Sequence, residues 1–315
     1  MATRANLVGA VCFILLAAIA PALPGWFLSL TTIAFANALV VLGLIILWRT
    51  GLVPFGQALY YCAGAYTVAL LARWFKVSDA FVLIILGGVI AGLIAFLIGF
   101  LLARYREIFF AMLSLALSMI LYGVLVKTES LGSTDGFSVE PPTFLGWAPH
   151  GQALGFALYW LVLAVCAISA VLVSAYFRTA AGALAVPIRD NEIRVEFLGV
   201  SVNRLIHIKL VIAGTLGGFG GALGAMTIGH VDPAMSYWTT SGGFVFVTIL
   251  AGAGSVAAAF VGSLVFEIVR SIAVDVLPGF WQLILGSVLL LTILFLPEGL
   301  GSIATRFRRS KEPAT

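Results

Sequence analysis

Ten apolar runs, most of them close to twenty residues long, follow one another at about 7–23, 26–47, 55–72, 80–103, 108–126, 153–177, 208–229, 241–253, 255–274 and 280–297. A helix needs about 20 apolar residues to cross the ~30 Å hydrocarbon core, whereas a barrel strand needs about 10 and alternates in polarity. These runs are continuous, and a helix satisfies its backbone hydrogen bonds within its own segment. The chain therefore reads as all-α, a polytopic transmembrane helical bundle of about ten membrane elements and no fewer than eight, in a single domain over 1–315. Charged residues are only 10% of the chain and its mean hydropathy is +1.15, where a soluble domain carries about 25% charge. The run 241–253 is too short to cross alone. It either extends upstream through Tyr237 and Trp238 or forms a broken, partly re-entrant segment. The run 7–23 reads as a retained first span, because cleavage after Ala18-Ile19-Ala20 would leave Pro21 at the cut.

Basic residues set the direction. With the N-terminus in the cytoplasm and all ten elements crossing, 13 of the 17 lysines and arginines fall inside, among them Arg4, Arg49, Arg104, Arg106 and the tail from Arg306 to Lys311. Arg73, Lys76 and Lys127 fall outside. This follows the positive-inside rule and puts both termini in the cytoplasm. The longest outside loop, 127–152, holds Glu129, Asp135, Glu140, Pro141, Pro142 and Trp147. It reads equally as a plain connector or as a docking surface for an external protein.

Polar chemistry is scarce. Cys12, Cys62 and Cys166 lie in apolar runs without metal-ligand spacing or an aqueous partner, so no metal or disulfide is indicated. There is no phosphate-binding Gly-x-x-x-x-Gly-Lys-Ser/Thr loop, so the chain does not bind ATP in that manner, and no hydrolase or zinc-protease signature. No ionisable group stands in the middle of the first eight runs, unlike the relays of proton-driven carriers. Glu267 and Arg270 read as an i,i+3 ion pair; His207 and His230 read as residues at the water edge. Glycines at three- and four-residue spacing, Gly214, Gly217, Gly218, Gly221 and Gly224, read as close helix packing. The segment 63–69 echoes 251–257, on spans of opposite direction, which leaves room for an inverted repeat. Asn37, Gln57, Gly64, Tyr66, Thr67, Gly252 and Gly254 are the candidates for a translocation path, although interhelical hydrogen bonding or packing accounts for them as well.

One polar island stands apart. Residues 178–209 hold nine of the chain's 17 basic, 13 acidic and 3 histidine residues. Pro187 suits the start of a helix, Asp190 and Glu192 complement its dipole in the early turns, and Gly199 is a natural stop. The segment 187–199 thus reads as one helix of about three turns on the cytoplasmic side. Its mixed charge favours docking to a soluble partner over lying on headgroups.

At this point the sequence resembles a known family. Gly182-Ala183-Leu184-Ala185-Val186-Pro187-Ile188-Arg189-Asp190-Asn191-Glu192, then Glu196-Phe197-Leu198-Gly199-Val200, is similar to the cytoplasmic loop of the branched-chain amino-acid ABC importer permeases of the LivM-like kind. Gly51-Leu52-Val53-Pro54-Phe55-Gly56-Gln57, Gly64-Ala65-Tyr66-Thr67, Gly252-Ala253-Gly254-Ser255 and Leu296-Pro297-Glu298-Gly299-Leu300 agree with its other motifs. The chain departs from the usual pattern at Ala183, Val186, Pro187, Pro54 and Gln57. The resemblance implies a permease subunit of a binding-protein-dependent importer in the bacterial inner membrane, working by ATP-driven alternating access. Its implied partners are a second permease subunit, two cytoplasmic ATPase subunits and an external solute-binding protein, besides membrane lipid, with no nucleic acid. The implied cofactor content of this chain is none, ATP being used by the partner subunits. Arg189, Asp190, Asn191, Glu192, Glu196 and Gly199 fall in the segment implied to couple to the ATPase. A branched-chain amino acid leads as the solute; urea, an amide, or an aromatic or other organic acid, and an ion-coupled carrier, stay open.

Overall fold

The computed structural model describes residues 23–252 and 254–295, together with Leu16, Pro21 and Gly299. The expected first span 7–23 falls almost wholly outside the described residues, as do Arg4, Cys12, Ala253, most of the ending motif 296–300 and the basic tail. Nine helices of fourteen residues or more fill the described chain: α1 (Gly25–Trp48), α2 (Gln57–Phe75), α3 (Ala80–Leu102), α4 (Glu107–Lys127), α5 (Gln152–Tyr176), α9 (Val202–Ile228), α10 (Trp238–Ala251), α11 (Val256–Val276) and α12 (Trp281–Phe295). Three short helices, α6 (Ala180–Ala183), α7 (Ala185–Asp190) and α8 (Glu192–Phe197), make up the island. Six helices, α1, α3, α4, α5, α9 and α11, are long and apolar enough to cross a membrane. The chain is a multi-pass, all-α membrane bundle, as its apolar runs require.

Two helices form the middle. α1 is apolar on every side and is buried over nearly its whole length. α9 packs along α1, α2 and α3, and its glycines are the reason. The backbones at Gly64 and Gly218 touch, and a methyl group on Gly221 would collide with the Tyr61 carbonyl. Lipid offers helices no hydrophobic drive to associate, so small residues that bring backbones together supply dispersion contacts instead. The outward faces of α3, α4 and α12 expose Ile85, Leu93, Leu97, Ile120, Leu290 and Leu294, among others. Such faces are at home only in hydrocarbon.

Contacts at the helix ends fix the two ends of the bundle. A short antiparallel pair, β1 (Phe137–Ser138) with β2 (His230–Val231), ties the 127–152 loop to the chain leaving α9. At the opposite end Arg49 donates to the Gly254 carbonyl at 2.8 Å and lies 4.0 Å over the Phe177 ring. Successive long helices therefore alternate in direction between these two ends.

Two crossings are broken. α2 starts deep inside the bundle: Gln57 Nε2 donates to the carbonyl of Ala213, near the middle of α9, at 2.8 Å. Residues 49–56 therefore climb from the island end to mid-depth without helix. The short run 241–253 meets them from the other side. Its helix α10 begins at Trp238 and stops at Ala251, where Gly252 takes a positive φ of 77°. Its 14 residues reach about 21 Å, and a 3₁₀ turn at Pro233–Ser236 leads into it. The two breaks touch where the Ala58 N–H donates to Ser241 Oγ at 3.1 Å. Ser118 Oγ donates to the Ser236 carbonyl at 2.7 Å, and the Phe55 N–H to Ser114 Oγ at 3.1 Å. The 63–69 echo is different in kind. Its first copy is helix interior in α2, while 251–257 straddles the end of α10 and the start of α11, so the two are not equivalent pieces of structure.

Candidate functional site

The island is not one helix over 187–199. Asn191 is extended (φ −161°, ψ 100°) and its Oδ1 accepts the Arg194 N–H at 3.0 Å, ending α7 and capping α8. Asparagine is among the best N-caps because its side chain replaces a missing helix acceptor, and that local bond outcompetes a continuous helix here. Asp190 consequently closes α7 instead of opening a helix, while Glu192 is the first residue of α8, where negative charge suits the dipole. Pro187 sits third in α7, within the first turn whose N–H groups lack intrahelical acceptors. Gly199 does act as the stop, at a φ of 82°.

The hairpin's underside is apolar and buried. Ile188 and Val195 pack into a cluster with Leu47, Leu102, Phe110 and Ile206, at the island ends of α1, α3, α4 and α9, and with Leu52 of the segment 49–56. The opposite face mixes Arg189, Asp190, Arg194 and Glu196 with apolar side chains left uncovered by the rest of the chain: Ile193 is 65% exposed, Leu198 77% and Phe197 87%. Arg189 lies 3.7 Å from Asp190, an exposed pair of little energetic weight.

Arg106 holds the hairpin in place. From the α3–α4 turn its Nε and Nη2 donate to the two carboxylate oxygens of Glu192 at 2.7 and 2.6 Å. Nη2 also reaches Asn203 Oδ1 on α9 at 2.7 Å, and Nη1 the carbonyls of Ala103 and Tyr105 at 2.6 and 2.9 Å. A bidentate arginine–carboxylate pair fixes orientation as well as distance. Three elements are thereby clamped at one guanidinium. A second connection runs to residues 49–56: the aliphatic stem of Arg189 rests on Gly51, and Lys209 Nζ donates to Thr50 Oγ1 at 3.0 Å.

Lys209 and His207 are corrections to the sequence reading. Both belong to α9, and Lys209 is fully buried instead of aqueous. The His207 ring packs 4.3 Å from Phe100 and 5.1 Å from Phe96, with neither ring nitrogen hydrogen-bonded. The Glu267–Arg270 pair is present, at 3.0 Å.

The seven path candidates do not share one site. Gly64 is used for backbone packing against Gly218, and the Thr67 hydroxyl bonds back to the Ala63 carbonyl at 2.7 Å. Gly252 and Gly254 lie at the island end, and Asn37 is half-buried on α1. Gln57 and Tyr66 differ, because each buries a polar atom without a partner, Gln57 Oε1 and the Tyr66 hydroxyl. A cavity of about 210 Å³ opens at the 127–152 end, lined by Ser29, Thr32, Leu158, Met226 and Thr227 among others; none of the seven lines it.

Comparison with known proteins is consistent over most of the chain. The family model described as branched-chain amino acid transport system, permease component, matches residues 26–294. The high-affinity branched-chain amino acid transport system permease protein LivM of Escherichia coli is 25% identical over 295 residues, covering 86% of this chain and 69% of that protein. LivM of Salmonella typhimurium is 25% identical over 286 residues, covering 83% and 67%. No solved structure gives a significant match.

Proposed function

Since the chain belongs to the branched-chain amino acid transport permease family, we propose that it is one permease subunit of an ATP-driven, binding-protein-dependent importer. A second permease subunit completes the channel, two ATPase subunits dock on the island from the cytoplasm, and an external binding protein delivers the solute at the 127–152 end. The solute is a branched-chain amino acid, as the names of the two LivM relatives suggest. The membrane is the bacterial inner membrane, with both termini in the cytoplasm.

The observation that carries this reading is the clamped hairpin. Ile193, Phe197 and Leu198 stand exposed on and just after a short helix whose other side is fixed to the bundle. An exposed apolar cluster rimmed by Arg189, Asp190, Arg194 and Glu196 has the make-up of a protein-docking patch, apolar at its centre and polar at its rim.

Mechanically, a push on α7–α8 by the closing ATPases has two ways into the bundle. The Arg106–Glu192 clamp moves the α3–α4 turn together with the start of α9. Arg189 on Gly51, with Lys209 on Thr50, moves residues 49–56, which end at Gln57 beside the second break. The touching breaks at Ala58 and Ser241 are the place where the bundle has least continuous helix to bend. Alternating access then amounts to rocking about that junction.

The test is uptake into proteoliposomes holding the permease pair, its ATPases and binding protein. Arg189→Glu combined with Glu192→Arg is expected to abolish ATP-dependent uptake and ATPase copurification while the chain still inserts. Uptake that follows an ion gradient with no ATPase present would overturn the reading.

A further inference from the structure

Asp232 occupies the residue just before the 3₁₀ turn Pro233–Ser236, where an aspartate ordinarily accepts hydrogen bonds from the turn's own N–H groups. It makes no such cap, although its backbone is extended as a cap requires (φ −139°, ψ 162°). Its Oδ1 is buried and has no hydrogen-bond partner, and among the described residues no lysine, arginine or histidine pairs with it. Burying a carboxylate oxygen unpaired is among the costlier things a fold can do.

A second orphan belongs to the same end of the bundle. The β1–β2 register pairs Phe137 with Val231, the neighbour of Asp232, and the Tyr66 ring packs against Phe137 with centroids 6.3 Å apart. Tyr66 is 5% exposed and its hydroxyl, too, is buried without a partner. Asp232 keeps part of its surface open. It lies in the broken crossing, on the 127–152 side of the Ala58–Ser241 junction.

A carboxylate oxygen and a hydroxyl, both without donors, call for a small cationic donor. We propose that Asp232 and Tyr66 form a station for the ammonium group of the transported solute, between the 127–152 end of the bundle and the central break. The proposal rests on the permease reading given above and assigns it a first solute contact. A primary ammonium has three N–H donors: one for Asp232 Oδ1, one for the Tyr66 hydroxyl and one left for water or a backbone carbonyl. A solute lacking that group would leave both orphans in place.

The experiment is saturation-transfer NMR on the detergent-solubilised transporter without its binding protein, using leucine, 3-methylbutylamine and 4-methylpentanoate as separate probes. The wild type is expected to show transfer to the first two and none to the third. Asp232→Asn should lose both signals, and Tyr66→Phe, which keeps the ring contact with Phe137, should weaken them about tenfold, as expected for a hydrogen bond to a charged group. Equal transfer to all three probes, no effect of either variant, or displacement of leucine by sodium ions would overturn the station. Uptake in the same preparation separates the two ideas. ATP-driven uptake with unchanged variants sinks the station alone, whereas intact amine binding without ATP-driven uptake sinks the permease mechanism alone.

Discussion

Arg106 and Glu192, 86 residues apart in sequence, meet through two parallel hydrogen bonds of 2.7 and 2.6 Å. The pair joins the turn between two membrane helices to the first residue of α8. It ties the island to the bundle, where the sequence reads the island as a separate docking helix of about three turns.

The clamp predicts an asymmetry. Arg106 also holds Asn203 and two carbonyls, so Arg106→Ala should destabilise more than Glu192→Ala. The pair is half-buried, which places the cost of the arginine variant between exposed and buried pairs, about 1–3 kcal/mol. Thermal unfolding of the two single variants and the double variant in detergent measures it. Equal, independent losses would mean that the two side chains do not act as a unit.

Glycine substitutions should divide by contact. Gly64→Ala pushes a methyl group into the Gly218 backbone and should cost about 3 kcal/mol, at the upper end of overpacking effects. Gly123→Ala, in a helix with open space around it, should be neutral or stabilise by about 0.5–1 kcal/mol. Melting temperatures that do not separate the two variants would show that α2 and α9 are not held at backbone contact.

Lys209 is a buried cation whose hydrogen-bond partner is one hydroxyl. Replacing it with methionine keeps the volume and removes the desolvation penalty, so Lys209→Met should be as stable as the wild type or more so by about 1 kcal/mol or above. Lys209→Ala leaves a cavity and should fall by about 2 kcal/mol or more. If the methionine variant unfolds first, the ammonium contributes more than its bond to Thr50.

Leu145 has φ 49° and Gly146 φ 89° in the tight turn where Phe144 and Trp147 exchange backbone hydrogen bonds. Leucine is a poor choice for that backbone, and its side chain is 84% exposed. Leu145→Asn should therefore stabilise the isolated permease by about 0.5–1 kcal/mol. A lower melting temperature would show instead that the leucine packs against something in the assembly.

The sequence carried the architecture because span length and continuous apolarity are local quantities. It carried the Gly199 stop and the Glu267–Arg270 pair for the same reason. It did not carry depth: Lys209 and His207 lie in a polar stretch, yet α9 takes both into the bundle. It did show that 241–253 is too short to cross alone and offered a broken segment there, but not how deep residues 49–56 and 229–237 run, since depth is set by distant contacts such as Gln57 with Ala213. The split at Asn191 was legible in principle, because asparagine followed by acidic and basic residues is a cap signal, but dipole arguments favoured a single helix. The Arg106 clamp and the uncapped Asp232 depend on contacts between segments far apart in the chain, and no spacing rule reaches those.

The account stands or falls on what touches Phe197. Cys62 and Cys166 are buried, so once Cys12 is replaced by serine a photoreactive probe on Phe197→Cys can be placed selectively by labelling at the exposed tip of α8. In native membranes holding the whole transporter, illumination should give one adduct with the ATPase subunit, lost when the ATPase is stripped from the membrane. Adducts with lipid alone, or labelling by a reagent confined to the external side, would contradict the claim that this hairpin is where the ATPase takes hold.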